Sequence, residues 1–208
     1  KRQPMGSIKM VLNMLMLNLP VEKIGGEMYE LLTMANRTTE DVFSLLDNLL
    51  KWTKSQIGNL NVVYQDVDAV EVVDSVIDVF NMVAGLKKIT IREEKPEKLP
   101  VCTDIDMLKT IIRNLLSNAI KFSNENSEVL VKMEEQGDTV VVSVKDSGCG
   151  IDEEGQQKLL HTDTHFSTFG TNNEEGSGLG LLLCQDFAVK IGGKLWFTSK
   201  EGEGSTFY

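Results

Sequence analysis

The amino-acid sequence predicts an α+β protein in two parts, a helical hairpin over residues 1–58 followed by a mixed α/β sandwich over residues 59–208. Three observations predict it. Apolar residues recur at alternating steps of three and four through the first part, which is the signature of one-sided helices. After Gly58-Asn59 the period changes, and valine-rich runs with strand character begin. Beyond residue 100 such runs alternate with amphipathic helices and glycine-rich turns, the mixture expected of one sheet covered by one helical layer.

The elements follow in order. Met5, Ile8, Leu12, Leu15 and Leu19 line the first helix, and Pro20 with Gly25-Gly26 marks a loop. The second helix carries Met28, Ala35, Val42 and Leu49 spaced by sevens, with Leu31, Thr38, Leu45 and Trp52 as a companion row. That is the a/d stripe of a helix bundle. Two helices cannot bury such a stripe alone, so a two-fold homodimer forming a four-helix bundle is the expected completion. The competing arrangement folds the hairpin against its own second part.

In the second part, Asn61 to Val67 and Lys88 to Arg92 read as strands flanking a helix whose apolar stripe includes Val72, Val73, Val76, Phe80 and Val83. A second amphipathic helix carries Leu108, Ile111, Ile112, Leu115, Ala119 and Phe122. Val129 to Met133 and Val140 to Val144 form a hairpin through Gln136-Gly137-Asp138. Residues 182–191 read as a helix stopped by Gly192-Gly193, and Lys194 to Ser199 pairs with Ser205 to Tyr208.

Composition narrows the function. Apolar residues make up 41% and charged residues 25% of 208 positions, a globular balance with no apolar run near the roughly 20 residues of a membrane-spanning helix. A soluble, cytoplasmic piece is expected, whether or not the parent is membrane-anchored. The net charge of −10 gives no electrostatic footprint for nucleic acid. Cys102, Cys149 and Cys184 fit neither a disulfide framework nor a zinc site and read as small buried or half-buried residues in a reducing setting.

Three motifs carry the chemistry. Asn114, Asn118 and Lys121 fall at i, i+4 and i+7 of the second amphipathic helix, so two amides and a cation share a face suited to Mg²⁺ and phosphate. Asp146-Ser147-Gly148-Cys149-Gly150-Ile151 follows a strand, placing an acceptor that the exocyclic amine of a purine would satisfy, with glycines that let backbone approach a flat ring. Gly176-Ser177-Gly178-Leu179-Gly180 precedes an apolar helix, whose first N–H groups offer a positive rim for phosphates. Alone, each glycine run also reads as an ordinary turn or linker. Together the three describe a nucleotide pocket. Between the last two lies a long stretch with little periodicity, placed to act as a lid anchored by Phe166 and Phe169. It holds the only histidines, His161 and His165, which lack the supporting pattern of a metal site.

In this order and at these distances, the motifs resemble the sensor histidine kinases of two-component systems over essentially the whole chain. The second part resembles their catalytic ATP-binding domain with its Bergerat fold, shared with heat-shock chaperone, gyrase and mismatch-repair ATPases, and the hairpin resembles their dimerisation and histidine-phosphotransfer domain. The resemblance implies ATP and Mg²⁺ as cofactors. Asn118 would hold Mg²⁺, Asn114 and Lys121 would meet phosphates, and Phe122 would line the nucleotide. Asp146 would take the adenine amine, with Gly148, Gly150 and Ile151 shaping the adenine end. Gly176, Gly178 and Gly180, with Leu179 among them, would close on the phosphates. Thr206, in Gly204-Ser205-Thr206-Phe207, resembles the terminal strand motif beside the pocket.

Arg2-Gln3-Pro4-Met5 resembles the tail of the phosphoacceptor box, whose histidine would then precede Lys1. The chain as it stands is expected to bind ATP without autophosphorylating at the usual site. Gln3 holds the place where relatives with phosphatase activity carry Thr or Asn, and an amide there could still position water. No Lys or Arg occurs between Lys158 and Lys190, so Lys121 and Mg²⁺ would supply most countercharge. The expected function is ATP-dependent phosphorylation of a histidine, then transfer to an aspartate of a response-regulator receiver domain. The competing function is a degenerate, nucleotide-binding dimeric docking module without kinase activity.

Overall fold

The computed structural model describes residues 14, 25, 26, 28, 29, 31–35, 39, 46, 49, 50, 53, 61–160, 171 and 179–208. The chain divides into two compact units, Lys1–Lys54 and Ser55–Tyr208.

In the first unit the described residues are helical except Gly25, whose φ of 77° is the left-handed turn conformation that favours glycine. Helix begins at once after it: Gly26 is helical, and Tyr29 N–H donates to Gly25 O at 3.2 Å. Gly26 therefore opens the second helix instead of completing the expected loop. Thr33, Thr39 and Thr53 return their hydroxyls to the carbonyls of Tyr29, Ala35 and Leu49, four residues earlier, so none competes for other backbone groups. Of the heptad rows, Met28, Leu31 and Leu49 are exposed. Thr38, Val42, Leu45, Trp52, the Gly58-Asn59 stop and the whole row from Met5 to Leu19 lie outside the described residues.

The second unit runs β1 (Gln65–Asp68), α1 (Ala69–Leu86), β2 (Thr90–Glu94), β3 (Pro100–Thr103), α2 (Ile105–Phe122), β4 (Glu128–Gln136), β5 (Thr139–Lys145), α3 (Glu153–Leu160), α4 (Leu179–Lys190), β6 (Phe197–Lys200) and β7 (Gly204–Phe207). A five-stranded sheet has the order β2-β4-β5-β7-β6, with β2 parallel to β4 and the other pairs antiparallel. The expected single sheet is in fact two, because among the described residues β1 pairs only with β3, in a separate antiparallel ribbon. β3 escapes the sequence pattern because it is four residues long and begins with Pro100, which can only open a strand or sit at an edge. α3 escapes because its run Glu-Glu-Gly-Gln-Gln-Lys-Leu-Leu carries no apolar stripe. Its readable signal is Asp152, which caps it by accepting from Gly155 N–H at 2.7 Å.

Both long helices start on an aspartate. Asp68 Oδ1 accepts from Val70 N–H and Leu99 N–H, both at 3.0 Å. Asp104 Oδ1 accepts from Met107 N–H at 3.0 Å, while its Oδ2 takes Val63 N–H at 2.8 Å. Each cap thus also fastens a distant segment. The core joins Val73, Val76 and Ile77 of α1, Ile112 and Leu116 of α2, Val129, Val131 and Met133 of β4, Val144 of β5 and Leu183 of α4. Val83 does not belong to it and is 47% exposed. Ala84, one helical step of about 100° further round, takes the inward place.

Candidate functional site

The amide face of α2 is set by burial on its other side. Leu115, Leu116, Ala119 and Ile120 are buried, which turns Asn114, Asn118 and Lys121 to the boundary as half-buried residues. Asn114 donates its Nδ2 to Thr110 O at 2.8 Å, within its own helix, leaving Oδ1 directed at Gly180 in the first turn of α4. A Cβ at Gly180 would lie 2.7 Å from that oxygen. The first and third motifs therefore meet through Asn114 and Gly180. Lys121 Nζ lies 4.8 Å over the Phe122 ring centre, a cation–π contact that holds the two side chains together at the helix end.

The aspartate turn docks on the same helix end. A Cβ at Gly148 would stand 2.1 Å from Phe122 O, and one at Gly150, whose φ is 65°, would stand 2.0 Å from Lys200 O. The space that these glycines save is filled by the protein's own backbone, which revises the expectation that it makes room for a ring. Gly204, at φ 100°, likewise lets β7 pass against Asp146, where a Cβ would lie 2.2 Å from Asp146 O. Thr206 follows on β7, paired with Lys145.

Asp146 is 5% exposed. Its Oδ1 accepts from Gly148 N–H at 2.9 Å and Ser205 N–H at 3.2 Å. No donor of another described residue is bonded to Oδ2. Burial raises the carboxyl above its ordinary value, and the N–H groups of Gly148 and Ser205 offset only part of that rise. A buried carboxylate with one oxygen bonded to backbone and the other bonded by no donor of another described residue fits an amine donor from outside the chain. The residues present therefore suit the amine of a purine.

Three residues that sequence reasoning missed hold this turn. Ser199 Oγ takes Ile151 N–H at 2.9 Å and sits 2.8 Å from Ser205 Oγ. Gln156 on α3 donates to Ile151 O at 2.7 Å and to Ser199 O at 3.2 Å. No local signal marks them, because Ser199 and Ser205 meet only through the pairing of β6 with β7 and Gln156 reaches them from α3. Gly176, Gly178, Gln3, His161, His165, Phe166 and Phe169 lie outside the described residues. Among the described residues no cluster of three metal-ligating side chains occurs, and no helix is long and apolar enough to cross a membrane. Cys102 and Cys149 are exposed, contrary to the expected burial, while Cys184 is buried against α2 with its thiol pushed up by desolvation.

Residues 103–208 match the histidine kinase-, DNA gyrase B-, and HSP90-like ATPases, and the chain belongs to that family. Its relatives narrow the class to the catalytic domain of two-component sensor histidine kinases. The adaptive-response sensory kinase SasA of Rippkaea orientalis is 30% identical over 166 residues, covering 79% of this chain and 42% of that protein. The sensor histidine kinase WalK of Bacillus subtilis is 28% identical over 177 residues, covering 84% of this chain and 29% of that protein. Among solved structures, the catalytic domain of histidine kinase ThkA superposes with a TM-score of 0.60 at 29% identity, covering 70% of this chain and 92% of that one. The chain thus spans less than half the length of these two sensory kinases.

Proposed function

We propose that this chain is the kinase core of a two-component sensor histidine kinase, which moves the γ-phosphoryl group of ATP to a histidine and from there to an aspartate of a response-regulator receiver domain. The observation that carries the proposal is Asp146: a buried carboxylate held by two backbone N–H groups through one oxygen, whose other oxygen takes no donor from another described residue and would accept an adenine amine.

Asn114 and Lys121 would meet the phosphates, Phe122 would lie along the base, and Asn118 would hold Mg²⁺. The metal would neutralise charge on the transferring phosphoryl group. Residues 179 and 180, at the start of α4, would present backbone N–H groups to phosphate, with Gly176 and Gly178 before them and Thr206 at the rim. The phosphoacceptor box, whose tail Arg2-Gln3-Pro4-Met5 resembles, would supply the imidazole, and Gln3 would place the water that hydrolyses the regulator's aspartyl phosphate to free aspartate and inorganic phosphate. Residues 1–58 would form the dimerisation hairpin. Exposure of Met28, Leu31 and Leu49 in the single chain supports a second copy as their cover.

Calorimetric titration with Mg²⁺ and a non-hydrolysable ATP analogue tests the site. Wild type should bind, and Asp146→Asn, which turns an acceptor into a competing donor, should weaken binding about 10- to 100-fold. Equal binding by both would reject the adenine role. In a chain extended upstream through the acceptor box, ATP should leave an acid-labile, base-stable label. Nucleotide binding without label would reject kinase chemistry and leave the docking module.

A further inference from the structure

Lys87 closes α1, yet its side chain leaves that helix altogether. It is 7% exposed, and its ammonium donates to Ile120 O at 3.0 Å, Lys121 O at 2.8 Å and Thr171 Oγ1 at 2.7 Å. A buried ammonium is costly unless its protons find acceptors. Here the acceptors include carbonyls from the last turn of α2, where backbone oxygens lack helical partners and the helix dipole is negative.

The same carbonyls receive a second segment. Thr171 N–H donates to Lys121 O at 3.2 Å, and Thr171 Oγ1 lies 2.7 Å from Ser123 O. The hydroxyl thus accepts from Lys87 while donating to the helix end. Thr171 stands between the second and third motifs, 50 positions after Lys121. One ammonium therefore joins the end of α1, the end of α2 and the stretch that connects the two glycine motifs.

We infer that Lys87 is a positioning residue of the nucleotide site: with Thr171 it locks the carbonyls of the turn that carries Lys121 and Phe122, so that base and phosphate contacts are pre-set before nucleotide arrives. The inference rests on the nucleotide reading above. The backbone of Phe122 is also the surface on which Gly148 docks, so a shifted turn displaces both the cation–π pair and the aspartate loop. Locking the turn lowers the ordering cost paid on binding.

The test is titration of the full chain with Mg²⁺ and a non-hydrolysable ATP analogue. Lys87→Met and Thr171→Val should each weaken binding about tenfold, and the double variant should be scarcely weaker than either single one, because both remove the same linkage. Thr171→Ser keeps the hydroxyl and should bind as wild type. Val76→Ala, a core change on α1 away from this linkage, should lower the unfolding temperature without changing affinity. Thr171 is exposed, so its two variants decide the matter even if Lys87→Met does not fold. Unchanged affinity in Thr171→Val, or equal loss in Thr171→Ser, overturns the inference; so does a double variant near the hundredfold product. A wild type that binds no nucleotide instead overturns the functional reading, and the inference with it.

Discussion

The two long helices of the second unit begin alike and end differently. Each has 18 residues and an aspartate N-cap that also ties down a remote strand or loop. α2 is buried along one side from Met107 to Ile120, and its boundary positions carry amides and a cation. α1 is buried mainly in its first half, and its C-terminal half leaves Val79, Met82, Val83 and Leu86 exposed. Yet α1 is the helix that sends Lys87 to the other's open end. Apolar content does not distinguish a functional helix from a supporting one; the chemistry of the uncovered stripe does.

The sharpest way to break this comparison is to truncate both helices at similar depth. Leu116→Ala empties a fully buried place and should cost about 2–5 kcal/mol in chemical denaturation. Met82→Ala, at 79% exposure, should change stability by no more than about 0.5 kcal/mol. A large loss at Met82 would mean that the bare half of α1 is covered.

Gly148→Ala addresses the docking of the aspartate turn on α2. Its Cβ would meet Phe122 O at 2.1 Å, so the loop or the helix end must move, at a cost of about 1–3 kcal/mol. Nucleotide affinity should fall with it, and a variant of wild-type stability and affinity would show that the two are not in register.

Asp146 gives a smaller effect with a definite sign. Because burial raises its folded-state pKa, the carboxyl contributes to stability fully below its ordinary value of 3.8 and loses that contribution as pH rises through the raised value. Asp146→Asn cannot ionise there. Unfolding curves should therefore show the variant gaining on wild type as pH climbs from 3 toward neutrality, about where acid titration of carboxylates ends. A variant that instead loses stability relative to wild type over that range would contradict the burial argument.

Lys88→Gly should produce the smallest change. α1 ends with Lys88 N–H on Gly85 O and Ile89 N–H on Ala84 O, which puts Lys88 at φ 57°. Glycine adopts that conformation freely, and relief of the strain should outweigh the added freedom of the unfolded chain by about 0.5 kcal/mol. Destabilisation instead would show that the Lys88 side chain matters more than its backbone.

Much of this molecule was legible in its residues. Periodicity marks α1, α2, α4 and the β4–β5 hairpin, because a one-sided helix or strand must repeat its apolar residues with its own geometry. Their ends came out shifted by a few residues: the first strand starts at Gln65 instead of Asn61, and α4 starts at Leu179, three residues early. The three motifs were equally visible, since amides, an aspartate and glycines at short spacing are local facts. β3 and α3 were not, being short and without an apolar repeat.

Residue order is enough to say which faces of the regular helices and strands turn inward and which polar groups stand together on one helix or one turn. Tertiary structure alone decided that β7 lies between β5 and β6, that Gly148 and Gly150 serve the backbones of Phe122 and Lys200, and that Lys87 caps a helix whose end lies 33 residues away. Those are contacts between segments with no common repeat. Only the closing of the sheet and the packing of helices over it bring their atoms to within bonding distance.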